Sequence, residues 1–490
     1  MSGEGADASG GGEGGNGTIV IDEPFAPAAA WALETDDSFV LSKLGCLEML
    51  VSSAGNGVLE PMLATSWDQT APTVWEFGLR SGVTFQNGEP MDAEAVAGAL
   101  QHALGATAPA SVFSPDVVEN VEAVGDDTVR ITTPTPDYLM PERMSTPHTG
   151  ILAPSAFEGS TPDPQGTCTG PFAIIEEVPQ QSVSLEANSS YWGGGVGLDA
   201  AEVRFIPDGA MRATQIDTGE AQIARKLPVT SMETLSGSGG TRLETVELPR
   251  TTELILNNGR APFDDELVRR AVQAAVDTRA ISEAVYPGAA HPAVGPFTPT
   301  EPFAPEQAEP VEADPDAAAE LLAEAGVDPS SLNLTLLAYT EGTGFADLAA
   351  VLQEQLGAVG IDVTIETGDY ASMEPALLEG DFDMALLSRN YLNDMPDPLG
   401  FLTADYTCDG SYNITHVCDP ELDALVEEAR VAESRDERYA VYAQTAELLQ
   451  SQAVNVFLVH ETETAAVAGV VGYAVHPYYT LTADLARATG

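Results

Sequence analysis

Long apolar runs, basic residues and catalytic signatures are what this sequence has least of. No stretch of about eighteen consecutive apolar residues occurs in its 490 residues, so no segment is built to cross a bilayer as a helix. Lys plus Arg number 19 against 76 Asp plus Glu, a formal charge of −57. That field repels a phosphate backbone and leaves no basic stripe to bind one, which excludes nucleic acid and anionic membrane surfaces as partners. The plain reading of the charge is a solvated acidic surface that keeps an exported protein soluble, and adaptation to high salt is compatible with the same composition.

Signatures of chemistry are equally scarce. His460 and Glu461 begin "HETET", but Thr464 stands where a zinc-protease helix needs its second histidine. There is no Walker-type phosphate loop and no CxxC pair. Carboxylates are so numerous that any two can be lined up, which removes the force of a paired-acid argument. The six histidines are scattered. His416 alone draws notice as a contact for a metal or metal chelate, because it sits between two cysteines in a loop that follows a predicted sheet. Four tryptophans are few for a stacked-sugar platform. The expectation is a protein that holds a ligand and transforms nothing: no enzyme, no cofactor, no metal site.

Cysteine is also rare, at four residues. Cys408 and Cys418 flank "DGSYNITHV", a polar loop short enough for a disulfide that restricts the unfolded chain by about 2–3 kcal/mol in an oxidising compartment. Cys46 and Cys168 are either a second bridge or two buried thiols.

What is present is enough apolar residue, 44%, to build two or three domains at this length. The start, "MSGEGADASGGGEGGNG", is glycine-rich and acidic, and residues 1–17 read as a flexible tether. It resembles a mature exported protein whose signal was removed, with a lipidated cysteine expected ahead of it. "TIVIDEP" then opens the ordered part as a buried strand, and "DSFVLSKLGCLEMLVSS" places apolar residues at helical spacing. In residues 66–90, "SWDQTAPTVWEFGLRSGVTFQNGEP", Trp75, Phe77 and Leu79 alternate with polar neighbours, the period of a half-buried strand, before a turn at Asn87-Gly88. Asp92 caps a helix whose apolar face runs Ala93, Val96, Ala97, Leu100, Ala103 and Leu104. More hairpin strands follow, with a turn at Asp126-Asp127.

From about residue 330, "LTLLAY", "FADLAAVLQEQLGAVG", "IDVTIE", "ASMEPALLEG" and "DFDMALL" form a βαβαβ series, which predicts a largely parallel sheet flanked by helices. Asp314-Pro315 opens a helix ahead of it and Gly326 closes it. Such sheets bind ligands beyond the carboxyl ends of their strands, so the segment after "DFDMALL" is a candidate site.

The order of these motifs is more specific than any one of them. "LEPMLATSWDQTAPTVWEFGLRSGVTFQNGEPMDAEAV" resembles the hallmark segment of the extracellular solute-binding proteins of family 5, the peptide, dipeptide and nickel receptors of ABC importers. It departs only at Ala95, where the family usually has Asp. "TCTGPFAI", "ANSSYWGG" and "IDTGEAQIA" follow in family order, with Gln222 for the usual Asp. "LILNNGRAPFDDELVRRAVQAAVDTRAI" carries Thr278 between an Asp277 and Arg279 that the family keeps adjacent. "NYLNDMPDPLGFL" resembles W-x-x-D-x-x-DP with Tyr391 for Trp. The likeness runs from about residue 18 to the end.

The resemblance implies an α/β, bilobed periplasmic-binding-protein-like fold of type II with an extra domain and mixed sheets flanked by helices. A discontinuous domain I would take residues 18–52, 166–255 and 469–490. The extra domain II would take 53–165 and a second lobe, domain III, 256–468. Trp67, Trp75, Phe77 and Phe85 then become packing residues of domain II. In peptide-binding members the acidic residue matching Asp394 receives the ligand's α-ammonium, a charge-assisted bond of about 1.5–3 kcal/mol, unless it caps its own loop. Beside it lie Tyr391 and Arg389; the latter either meets a ligand carboxylate or forms a structural ion pair. Asp397-Pro398 reads as a turn. Asn257 and Asn258 are either hinge residues or cleft contacts, and Trp31 either lines the cleft or packs in the core. The implied function is capture of a small solute, a short peptide before an oligosaccharide or nickel chelate, by a monomeric extracellular or periplasmic receptor that hands it to an ABC permease.

Overall fold

The computed structural model describes residues 14–15, 17–53, 58–237, 240–306, 309–310, 312–340, 342, 344–392, 395–476 and 479–488. Most of the expected glycine-rich tether lies outside the described residues, but Gly14–Gly15 pairs with the closing strand Ala486–Ala488.

Two long strands organise the molecule. Thr241–Leu256 and Asn455–Ala468 run antiparallel beside each other, with a register break between Glu247 and Thr251 that surrounds Pro249. A proline has no N–H to give the ladder, so a break at this point is where it fits. On one side of the break, Asn455–Ala468 carries Ile223–Ala224, followed by Thr18–Glu23, Ala200–Phe205, Ser182–Ala187 and Phe172–Val178. On the other side, Thr241–Leu256 carries Met384–Asn390, Asn333–Tyr339 and Asp362–Gly368. The same two strands therefore belong to two lobes, each with its own apolar core. One core gathers Ile19, Ile21, Leu41, Phe172 and Val203, and the other Leu254, Val268, Leu336, Leu352 and Met384.

The βαβαβ expectation is met in register: Asn333–Tyr339 pairs in parallel with both Asp362–Gly368 and Met384–Asn390, with the helices Phe345–Ala358 and Tyr370–Glu379 as crossovers. Asp314 caps the helix Pro315–Glu324 by accepting from the Ala317 amide at 2.9 Å.

The stretch at 66–90 folds into a separate four-stranded sheet, Ala64–Ala71, Val74–Leu79, Thr128–Thr132 and Asn120–Val124. Trp75, Phe77 and Leu79 face the helix Ala93–Leu104, whose first turn Asp92 caps at the Ala95 amide, 2.9 Å. Alternation on the strand and helical spacing on its cover bury one continuous apolar layer.

One expectation is corrected. Apolar spacing in 37–53 predicts a helix, but the helix Asp37–Lys43 ends after seven residues. Gly45 turns the chain at φ 66°, and a Cβ there would sit 2.6 Å from the Leu481 carbonyl oxygen. The apolar residues beyond it, Cys46, Leu47, Met49 and Leu50, are buried on an extended chain that enters the core from the other direction. Both cysteine pairs are disulfides, Cys46–Cys168 and Cys408–Cys418, and among the described residues no cysteine is free.

Candidate functional site in the cleft between the lobes

Three parallel strands of the first lobe, Thr18–Glu23, Ala200–Phe205 and Ile223–Ala224, end at the same level. Their carboxyl ends deliver Glu23, Phe205 and, one and two residues further on, Arg225 and Lys226. The crossing strand adds Leu248, Pro249 and Arg250, and Asn390 comes from the strand end that pairs with Arg250. With Arg225 set behind the wall, the others join Phe25, Asp36, Asp37, Lys43 and Leu44 to line a cleft of about 600 Å³. A site beyond the carboxyl ends of parallel strands is where open α/β sheets place ligands, and the volume falls in the range of small-molecule pockets.

Charge in this cleft is arranged in two layers. The inner layer is closed on itself. Arg225, 1% exposed, donates from Nε to Glu463 at 2.7 Å and from Nη1 to the Thr480 hydroxyl at 2.6 Å, with Glu23 at 3.6 Å. The Thr480 hydroxyl in turn donates to Glu23 at 2.7 Å. Burial opposes charge on both Glu23 and Arg225, and their mutual attraction overrides it, so the carboxyl is held below its usual range and the guanidinium above. The Asp37 carboxylate accepts from the amides of Ala28, Ala29 and Trp31 at 2.7–2.9 Å and fixes the loop before its helix.

The outer layer faces the open space. Lys226 is exposed and its ammonium sits over the Phe25 ring, 4.9 Å from the centroid. Phe25 itself is 61% exposed, a large apolar face presented to the cleft. Lys43 is half-buried on the helix Asp37–Lys43. Burial pulls its ammonium below the ordinary lysine range, against the attraction of Glu23. Arg250 donates to the Ser388 carbonyl and hydroxyl at 3.3 and 3.1 Å.

The corner that separates the layers is strained and clamped. Lys226 has φ 48°, a left-handed conformation costly for a side chain with a Cβ. The buried Arg212 guanidinium holds it there by donating to the carbonyls of Ile206, Pro207, Arg225 and Lys226 at 2.5–2.9 Å. Arg225 is thereby turned inward and its neighbour outward.

The expected ligand contacts fall elsewhere. Asp394 lies outside the described residues. Tyr391, 1% exposed, packs against Phe297 and its hydroxyl engages Thr298. Arg389 forks onto Asp405 at 2.7 and 2.8 Å and stacks on Tyr412, the structural ion pair of its two readings. Asn257 donates to the carbonyls of Gly380 and Phe382, and Asn258 to those of Leu256 and Val454, so both tie backbone together at the end of the crossing strand. Trp31 is buried in the first lobe's core, with its indole N–H donating to Glu177 at 2.9 Å. None of these five lines the cleft. Tyr391, Asn257 and Trp31 are held by partners about 90 to 150 residues away in sequence. His416 likewise packs beside Phe382, and its Nε2–H donates to the Leu377 carbonyl at 2.9 Å. Asp397 does build a turn, accepting from the Leu399 amide at 2.9 Å.

The residues that do line the cleft were missed. A signal was available in Lys43 and Lys226, the two lysines of the whole chain, every other basic residue except histidine being arginine.

Two lobes joined by a pair of crossing strands, with a cleft lined from both, define a solute-binding receptor. The chain belongs to the bacterial extracellular solute-binding proteins of family 5: residues 58–413 match "Bacterial extracellular solute-binding proteins, family 5 Middle". Members of this family serve ABC importers and work in the periplasm or outside the cell. Among the described residues no helix is long and apolar enough to cross a membrane. Di/tripeptide-binding protein 2 of Pseudomonas aeruginosa (strain UCBPP-PA14) is 27% identical over 81% of this chain and 80% of its own length. Heme-binding protein A of Haemophilus influenzae (strain ATCC 51907 / DSM 11121 / KW20 / Rd) is 25% identical over 86% of this chain and 83% of its own. The crystal structure of a nickel ABC transporter from Bacillus halodurans superposes with a TM-score of 0.87 at 29% identity, covering 96% of this chain and all of that one.

Proposed function

We propose that this receptor captures short peptides of the di- and tripeptide class and presents them, enclosed and unchanged, to its membrane permease. The observation that carries the reading is the cleft of about 600 Å³, which offers charges of both signs around the exposed Phe25. A short peptide is a zwitterion with an apolar or variable middle, and such a cleft suits it. Capture works by closure: contacts from both lobes stabilise the closed state, and differential affinity for that state is what moves the lobes. Backbone pairing to an extended ligand leaves side chains in hydrated space, so preference among peptides is broad. The Asp394 carboxylate remains part of this reading as the partner of the ligand's α-ammonium.

The protein acts as a monomer and does not engage nucleic acid, in keeping with its charge of −57. It catalyses nothing; Glu23 and Glu463 are tied to Arg225, and Asp37 to three amides. A metal chelate is the second reading, favoured by the nickel-transporter structure it resembles. Mass spectrometry of solutes that copurify, followed by calorimetry with a mixed tripeptide pool and with a nickel–histidine complex, separates the two. Binding of the pool together with a smaller radius of gyration supports peptide capture. Binding of the chelate alone, or hydrolysis of the peptides, overturns it.

A further inference from the structure

We propose that the cleft contains a carboxylate subsite formed by Lys226, Lys43 and Arg250, so that its ligands must carry a free carboxylate. This rests on the peptide-receptor reading and sharpens it: the group engaged is the C-terminal carboxylate of the peptide.

The first observation is where lysine occurs. The chain has two lysines among 490 residues, and both line the cleft between the lobes. Random placement would rarely bring both there. Arginine does the structural work elsewhere: Arg389 and Arg438 pair with buried carboxylates, and Arg212 and Arg269 hold backbone carbonyls. Arginine's planar fork suits permanent pairing, whereas lysine is a compact, hydrated point charge on a flexible stem. That difference fits a group that must engage a passenger and release it.

The second observation is which charges in the cleft already have partners. Glu23 and Glu463 are held by Arg225, and Asp37 by three amides. Asp36 is the remaining carboxylate on the wall, exposed and making no cap bond of its own. No ion pair joins Lys43 or Lys226 to a carboxylate among the described residues, and the Lys226 ammonium lies over the Phe25 ring. Among the described residues Arg250 is held by neutral oxygens, the Ser388 carbonyl and hydroxyl. Among the described residues none of these three cations of the wall is in an ion pair, in a molecule with four acidic residues for every basic one.

The third is that the placement is enforced. The Arg212 clamp keeps Lys226 in the left-handed conformation at the cleft edge. The two ammonium groups also sense each other: burial pushes Lys43 down most, and Arg225 and then Lys226 add to it against the attraction of Glu23 and Glu463. A carboxylate arriving between them relieves that repulsion.

The test compares wild type with Lys226→Met, Lys43→Met and the charge-keeping Lys226→Arg by calorimetry. Three probes are used: a mixed tripeptide pool with free C-termini, the same pool amidated, and an amidated pool enriched in Asp and Glu. Wild type should bind the free-acid pool about 10-fold or more tightly than the amidated one, the scale of one charge-assisted bond. Each methionine variant should lose about 10-fold on the free-acid pool, and Lys226→Arg should lose less. Equal binding of free and amidated pools, or undiminished binding by both methionine variants, overturns the subsite. Lysine-dependent binding of the acidic amidated pool supports the subsite but moves the carboxylate to a side chain. If no pool binds wild type, the peptide reading falls, and the copurified solute becomes the probe: loss of its affinity in Lys226→Met upholds the subsite and unchanged affinity overturns it.

Discussion

Glu142 and Arg438 meet at 3.1 Å with both side chains almost fully buried, and they come from different parts of the molecule. Glu142 belongs to Met140–Arg143, where Met140 joins the core of the four-stranded sheet, while Arg438 lies on the helix Arg435–Ser451 of the second lobe. Arg438 also pairs with Asp397 at 3.0 Å, and Leu139 inserts among the second lobe's aromatics. The extra domain is thus fastened to the opposite lobe. Removing one member of a buried pair leaves the other uncompensated, at a cost of about 3–5 kcal/mol. Because Arg438 keeps Asp397, Glu142→Ala should fall near the lower end, read by urea unfolding, and its radius of gyration without ligand should rise. A loss below about 1 kcal/mol with unchanged scattering would show that the pair fastens nothing.

Buried acids set the response to pH. Burial pushes Glu253 and Glu301 up to about 8, in the first case with Asp405 adding to the effect. Both exceed their unfolded values, so the folded state holds more protons, and their contribution is complete at low pH and lost as pH rises through about 8. Buried His460, pulled down to about 3, has the opposite sign: its contribution is lost as pH falls below about 6.5. The two slopes oppose each other in mild acid, and above about pH 6.5 the His460 contribution is level while that of these two glutamates still falls. Stability should fall between pH 6.5 and 8, by on the order of 1–2 kcal/mol per glutamate. Glu253→Gln should flatten half of that decline in melting curves taken across the range.

The disulfides differ in what they close. Cys408–Cys418 spans 10 residues and Cys46–Cys168 spans 122. Loop-closure entropy predicts about 3 kcal/mol for the short loop and about 4–5 for the long one. The double variant Cys46→Ser/Cys168→Ser should therefore lower the urea midpoint more than Cys408→Ser/Cys418→Ser. The reverse order would place the effect in native packing.

Trp31 supports the fold rather than the ligand. Trp31→Ala should cost about 3–5 kcal/mol of stability through the lost core contact. At temperatures where the variant is folded, its peptide affinity should stay within about 3-fold of wild type. Loss of binding at full stability would return Trp31 to the cleft.

Local pattern carried much of the fold. Trp75, Phe77 and Leu79 announced their strand, Asp92 and Asp314 their helices, and the parallel order of the second lobe followed from spacing alone. The site was less legible because its chemistry is assembled over distance. Arg225 and Glu463 are 238 residues apart and Thr480 is 255 from Arg225, so no window of sequence displays the pairing. Arg389 and Tyr391 were attractive candidates because they follow a strand end, yet Asp405 and Thr298 turn them away from the cleft. Length hid the early helix's true end, since Gly45 converts a helical apolar spacing into a buried extended run.

The scarcity of lysine also gives the experimenter a handle. Reagents that acylate primary amines find two side chains in this protein, and both line the cleft proposed to hold the solute. A fluorophore attached this way becomes a built-in gauge of occupancy. Coupling the protein to a sensor surface by the same chemistry would silence it.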